Sequence, residues 1–250
     1  MITRPVALIT GGSRGIGASC ARLLAEQGYA VCISYREDRA AADSLVDAVR
    51  QTGAVIEAVQ ADVSDPEQVD ALFRHCDSAL GTVSALVNNA GIVGDKARLE
   101  EMAVDRLQRM FAVNTLGTIY CCQAAIRRMA HRHGGKGGVI VNVSSVASRI
   151  GSPAEYVDYA ASKGAVDTLT LGLAKELAED GIRINAIRPG IIDTDIHASG
   201  GQPDRAERLT PLVPMQRPGN VDEVAHAIVW LLSREASYTT GAILDVSGGR

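Results

Sequence analysis

The chain has 250 residues, 46% of them apolar and 22% charged, with a formal net charge of −4. That is enough apolar side chain for one large core, and it lacks both the basic excess of a nucleic-acid binder and a long acidic tail. Five cysteines, an odd number without C-x-x-C spacing, argue against a disulfide framework or a zinc site and for a reducing, cytoplasmic compartment. No run is long and apolar enough to span a bilayer, and Val6 to Ile9 is too short for a signal-peptide core, so no membrane partner is expected.

Short β-branched runs alternate with longer amphipathic stretches, the pattern of parallel strands joined by helical crossovers. The first strand is predicted at 6–10, followed by a helix at 17–26. Between them stands Thr10-Gly11-Gly12-Ser13-Arg14-Gly15-Ile16-Gly17. Glycines there allow a tight turn, close approach of backbone N–H groups to a pyrophosphate, and placement of that anion at a helix N-terminus. No Gly-Lys-Ser/Thr follows, which excludes an ATP loop.

The second strand, 30–34, leads into Tyr35 and Arg36. A carboxylate at this place would accept from a ribose 2′-hydroxyl and repel a 2′-phosphate. Here Glu37 and Asp38 come later, while Arg14, Arg36 and Ser34 offer donors for a phosphate, so NADP(H) is expected over NAD(H). Helix 40–51, strand 55–60, helix 66–79 and strand 85–88 follow, the last ending in Asn88-Asn89-Ala90-Gly91. A single long helix is predicted at 104–133, with the amide of Asn114 inside it in need of partners.

Strand 138–143 ends in Ser144 and Ser145, at the strand end where open α/β sheets place their ligand crevice. Either hydroxyl, or that of Ser148, can hold a carbonyl or merely close a turn. In the next helix, 157–179, Tyr159 and Lys163 are four apart and share a face. A free tyrosine, with its pKa of about 10, is a poor acid/base at neutral pH, and an ammonium one turn away favours the phenolate. Tyr156 has only Ala160 in that position. Strand 183–187, a loop at 190–220 with a short helix near 204–209, helix 221–233 and strand 242–246 complete a single domain over 1–250.

Taken in order, Thr10-Gly-x-x-x-Gly15-x-Gly17, Asn88-Asn89-Ala90-Gly91, Asn114, Ser145, Tyr159-x-x-x-Lys163 and Arg188-Pro189-Gly190 resemble the motifs of the short-chain dehydrogenase/reductase family. The resemblance spans the whole chain. It implies an α/β fold: a Rossmann-type, doubly wound, parallel seven-stranded sheet of order 3-2-1-4-5-6-7 with three helices on each face. It implies Tyr159 as acid/base, Lys163 binding the nicotinamide ribose and lowering the tyrosine pKa, Ser145 polarising the carbonyl, and Asn114 supporting a water-mediated relay. It further implies that Asp62 and Val63 flank the adenine and that Asn89, Ala90 and Gly91 line the cofactor. Pro189 and Gly190 belong to the same cofactor wall, and Ile192 and Thr194 approach the carboxamide. A homotetramer built on helices 104–133 and 157–179 and the C-terminal segment is also implied.

The substrate is expected between Tyr159 and the 190–220 loop. Ile191, Ile192, Ile196 and Leu212 are candidates for an apolar pocket, whereas His197 and Arg205 are expected in solvent. Arg127, Arg128, His131 and Arg132 form a basic cluster of the kind an acyl carrier protein would need, but Glu176, Glu179 and Asp180 oppose it. A small carbonyl or 3-oxoacyl-type reductase is therefore expected, without a dedicated carrier-protein partner. The stretch 155–163 also resembles sugar or glucose dehydrogenases, so a polyol dehydrogenase is the alternative. A cofactor-binding sensor without chemistry is the alternative of another class. His131 and His133, two apart on a helix, point to different sides and offer no metal site.

Overall fold

The computed structural model describes residues 4–194, 201–202 and 204–250. Seven parallel strands, β1 Val6–Ile9, β2 Ala30–Tyr35, β3 Ile56–Gln60, β4 Ala85–Asn88, β5 Gly138–Val143, β6 Ile182–Pro189 and β7 Ile243–Val246, form one sheet of order β3-β2-β1-β4-β5-β6-β7. This is the expected doubly wound order. The register places Ile9 beside Ile33 and Val87, and Asn88 beside Asn142. The strand ends carrying Thr10, Asn89 and Ser144 thus meet along one edge of the sheet.

The helices are α1 Gly15–Glu26, α2 Arg39–Arg50, α3 Pro66–Ala79, α4 Val104–Phe111, α5 Gly117–Met129, α6 Ala147–Ile150, α7 Val157–Glu176, α8 Arg205–Leu209 and α9 Val221–Leu232. Alternation along the strands divides the core into two layers. Ile9 and Ile33 pack with Leu24, Leu45, Val49 and Ile228 under α1, α2 and α9. Leu8 and Cys32 pack on the other face with Phe73, Cys121, Met129 and Leu177 under α3, α5 and the end of α7. Helix starts follow local chemistry: Asp38 caps α2, Asp65 caps α3 ahead of Pro66, and Asn220 with Glu223 forms a capping box on α9.

Strand and helix ends lie within three residues of the sequence expectations, and those of α3, β4 and β5 coincide with them. Two differences are larger. Helix α6 was not expected, being a single turn. The segment 104–133 is not one helix: Ala112–Leu116 forms a π-turn between α4 and α5, and after Met129 the chain turns extended at Ala130 into a 3₁₀ turn at His131–His133. The π-turn is fixed from outside, because Asn114 is tied to neighbouring elements, and Gly117 lies where a Cβ would be 2.7 Å from Val63 Cγ2.

Candidate active site

The glycine turn and the end of β4 are locked together. Gly11 has φ +61°, and a Cβ there would come within 2.9 Å of Ala90 Cα; one on Gly17 would lie 2.6 Å from both Gly11 O and Asn89 Nδ2. The Asn89 amide donates to the carbonyls of Thr10 (3.0 Å) and Gly11 (2.8 Å), while Thr10 Oγ1 accepts from the backbone of Asn89 and Ala90. Asn89 therefore holds the turn in place. Helix α1 opens on Arg14 with no side chain capping its first turn, which leaves backbone N–H groups there for an anion.

In front of this turn lies a cleft of about 680 Å³, whose lining includes Gly11, Ser13, Arg14, Gly15, Ile16, Tyr35, Arg36, Glu37, Asp38, Asp62, Val63, Asn89, Ala90, Gly91 and Thr194. Gly17 does not reach the wall; the contacts above make it a packing residue. Pro189, Gly190 and Ile192 line an adjoining cavity of about 150 Å³, which shares Ile16, Asn89, Gly91 and Thr194 with the cleft. Ser34 is buried, its oxygen accepting from Gly11 N at 3.3 Å, and Arg36 pairs with Glu37. The guanidiniums of Arg14 and Arg36 remain the cations at this end of the cleft, together with one the sequence did not reveal. Arg109, on α4, donates to Asp62 Oδ2 and Ser64 Oγ, both at 2.6 Å. Burial pushes the Asp62 carboxyl up, but hydrogen bonds from Ser64 and Arg109 outweigh it and hold the group below the usual carboxylate value.

Tyr159, Ser145 and Lys163 meet in the smaller cavity. Burial raises the Tyr159 phenol above its usual value; a hydrogen bond with Ser145 and the charge of Arg205 oppose this. Ser144 points the other way, its hydroxyl donating to Lys163 O at 3.2 Å. Lys163 is buried and donates to Val143 O at 2.8 Å; burial lowers its pKa to about 8, with the carboxylate of Asp167 pulling it upward. The expected lowering of the tyrosine by Lys163 is therefore not the dominant effect in this arrangement. The ammonium is aimed at a carbonyl, 5.8 Å from the Tyr159 ring centroid.

Asn114 is fully buried: Oδ1 accepts from Ile92 N (2.8 Å), and Nδ2 donates to Ile92 O (3.0 Å) and Ser162 Oγ (3.1 Å). Its side chain lines neither the cleft nor the cavity and instead joins the π-turn to α7 beside Tyr159.

Ion pairs fix the surroundings. Arg106 on α4 binds the fully buried carboxylate of Asp158 through two bonds, at 2.9 and 3.1 Å. Asp167 takes two bonds from Arg188 at 3.0 and 2.8 Å; Arg188 also faces Asp245, which holds Arg149 at 3.0 Å. Arg205, expected in solvent, is buried on the cavity wall, paired with Glu155 at 2.9 Å and stacked on Tyr156 at 4.6 Å.

Two members of the basic cluster are paired: Arg128 with Asp77, stacking also on Phe73, and Arg132 with Asp180. Leu212 is exposed rather than pocket-lining. Ile191 and Ile192 do line the cavity, while Ile196 and His197 lie outside the described residues. No helix among the described residues is long and apolar enough to cross a membrane.

Residues 11–250 match a family described as enoyl-(acyl carrier protein) reductase. An uncharacterized oxidoreductase, YgfF, of Escherichia coli (strain K12) is 52% identical over 98% of this chain and 99% of its own. Glucose 1-dehydrogenase 2 of Bacillus subtilis (strain 168) is 37% identical over 99% and 95%. Among solved structures, a short chain dehydrogenase from Burkholderia cenocepacia J2315 in complex with NADP superposes with a TM-score of 0.89 at 34% identity, covering 99% of this chain and 98% of that one.

Proposed function

The chain belongs to the short-chain dehydrogenase/reductase family of oxidoreductases, and on that premise we propose that it interconverts a small carbonyl and its secondary alcohol with NADP(H). The observation that carries this reading is the meeting of Tyr159, Ser145 and Lys163 in a cavity that opens into the glycine-turn cleft. The cleft fits a dinucleotide: close-packed glycines, an uncapped helix start and flanking guanidiniums suit a pyrophosphate and a 2′-phosphate. When bound, the nicotinamide supplies or accepts the hydride.

The protein's own groups handle the proton. In reduction, the carbonyl oxygen accepts from Ser145 and takes the Tyr159 proton; in oxidation, the phenolate removes the alcohol proton. A tyrosine held above its usual pKa stays protonated at neutral pH, which suits the reductive direction. Lys163, held by Val143 O, would bind the nicotinamide ribose and would keep a positive charge near the phenolate as it forms. Asn114 acts as a positioning residue, fixing α7 through Ser162. Arg14, Arg36 and, through Asp62, Arg109 support the adenosine end.

The glucose 1-dehydrogenase relative favours a polyol dehydrogenase as the second reading. The apolar lining Val93, Val146, Ile150, Ile191 and Ile192 suits a sugar's hydroxyls poorly. Exposed Phe111, Leu116 and Leu171 on α4, the π-turn and α7 support a homotetramer, and five buried thiols suit a cytoplasmic protein.

Oxidation of NADPH and of NADH across diketones, aldehydes, oxoacyl thioesters and keto sugars, with the reverse assay on polyols, tests this. Turnover of a small carbonyl preferring NADPH is expected. Activity confined to polyols would establish the second reading, and NADPH binding without turnover of any substrate would overturn both.

A further inference from the structure

The cavity beside Tyr159 carries an unbalanced charge. No Asp or Glu is among its described lining residues, whereas the side chains of Arg205 and Arg250 join that of Lys163 as cations. Arg205 has its partner in Glu155, which is also shared with Lys96 at 3.3 Å. Asp245, the nearby carboxylate of β7, is divided between Arg149 at 3.0 Å and Arg188 at 3.6 Å. Arg250 has none of these.

The backbone of Arg250 is nonetheless held firmly. Its N–H donates to Ser247 O at 3.3 Å, and its carbonyl accepts from Arg149 Nη2 at 2.7 Å and Ser247 Oγ at 3.2 Å. Its guanidinium makes no hydrogen bond or ion pair with any described residue. Burial, reinforced by the like charge of Arg205 and only partly relieved by Glu155, holds that group below the ordinary arginine value. A half-buried guanidinium that has no partner among the described residues and stands beside an apolar wall is costly, and an anion relieves the cost. A carboxylate matches its planar fork.

We propose that this cavity takes a short oxo acid, or the corresponding hydroxy acid, with the carboxylate on Arg250 and the reacting carbonyl at Tyr159 and Ser145. The inference rests on the oxidoreductase reading above. In the reductive direction the carbonyl carbon gains the hydride of NADPH and its oxygen gains the Tyr159 proton. The products are the hydroxy acid and NADP⁺, and the phenol is reprotonated from solvent. A cavity of about 150 Å³ is the scale of a benzene-sized guest, so about six carbons is an upper bound on the substrate, and the nicotinamide takes a share of that space.

The test uses isosteric pairs in which a methyl ketone replaces the carboxylate: 3-oxobutanoate against pentane-2,4-dione, 4-oxopentanoate against hexane-2,5-dione, and 5-oxohexanoate against heptane-2,6-dione. At least one acid is expected to exceed its diketone in kcat/KM by about tenfold or more, the discrimination a charge-assisted hydrogen bond gives. The gain should lie mainly in KM, because the carboxylate is remote from the reacting atoms. Arg250→Met should remove that preference, and calorimetry should show the same loss in 4-oxopentanoate binding to the NADP⁺ complex. Turnover of the diketones as good as or better than that of the acids would overturn the inference while leaving the oxidoreductase reading intact. Absence of turnover with every carbonyl would sink that reading instead, and the calorimetric comparison would still decide whether Arg250 binds the carboxylate. Acid preference unchanged in Arg250→Met would also overturn the inference.

Discussion

Lys163 donates to the carbonyl of Val143 across 2.8 Å, so the ammonium of α7 is moored to the end of β5 at the point where the sheet opens into the cavity. This contact joins the Tyr159 helix to the strand that delivers Ser145. Helix and strand cannot shift independently without exposing a buried charge.

Tyr159→Phe removes the proposed proton donor while keeping the ring that fills the cavity wall. It should lower kcat by about a hundredfold or more, within the range for a general acid, with NADPH binding little changed. Steady-state kinetics beside NADPH titration check this, and a fully active variant would rule out the mechanism.

The buried lysine should set the alkaline side of the pH profile. Lys163 loses its proton at about 8, against about 10.4 for a lysine in the unfolded chain. The folded protein thus binds this proton more weakly. Its cost to stability is fully present below about pH 8 and disappears as the pH rises toward about 10. Carbonyl reduction should decline as the pH passes about 8. Asp167→Asn, which removes the carboxylate pulling the lysine upward, should move that decline to lower pH by about one unit. An unmoved limb in Asp167→Asn would show that another group sets it.

Arg106→Leu strands the fully buried carboxylate of Asp158 next to Tyr159. The expected loss is about 3–5 kcal/mol in urea unfolding, and adding Asp158→Asn should recover most of it, since the neutral amide has no charge to strand. Equal loss in single and double variants would assign the cost to packing instead.

Removing both guanidiniums at the adenosine end, Arg14→Ala with Arg36→Ala, should raise KM for NADPH by about ten- to a hundredfold and leave KM for NADH nearly unchanged. A parallel rise for both cofactors would mean that these residues hold the pyrophosphate or the turn rather than a 2′-phosphate.

Much of this arrangement is legible in the sequence because its signals are local. Gly11 and Gly17 mark a turn that no Cβ can enter, the apolar runs mark strands covered on both faces, and the four-residue spacing of Tyr159 and Lys163 marks one helix face. The parts that escaped depend on pairing between distant segments. Arg109 reaches Asp62, Arg106 reaches Asp158, and Arg205 folds back on Glu155 and Tyr156. A charged side chain in a polar stretch gives no sign of such a partner, so Arg205 reads as solvated and Arg127 to Arg132 read as a patch. Ser144 and Ser145 are equally plausible in sequence. The structure separates them just beyond the end of β5, sending one hydroxyl to the backbone of α7 and the other toward Tyr159.

The π-turn at Ala112–Leu116 has a consequence for the segment as a whole. One residue added to a helical turn rotates everything after it by about 100°. The strip of α4 that carries Arg106 looks toward α7, whereas the strip of α5 that carries Arg128 looks toward α3 and Asp77. The turn therefore acts as a gear between two neighbours that an unbroken helix would serve out of step. Deleting a single residue there would re-aim α5 while leaving its composition, its length and every motif of the chain almost untouched.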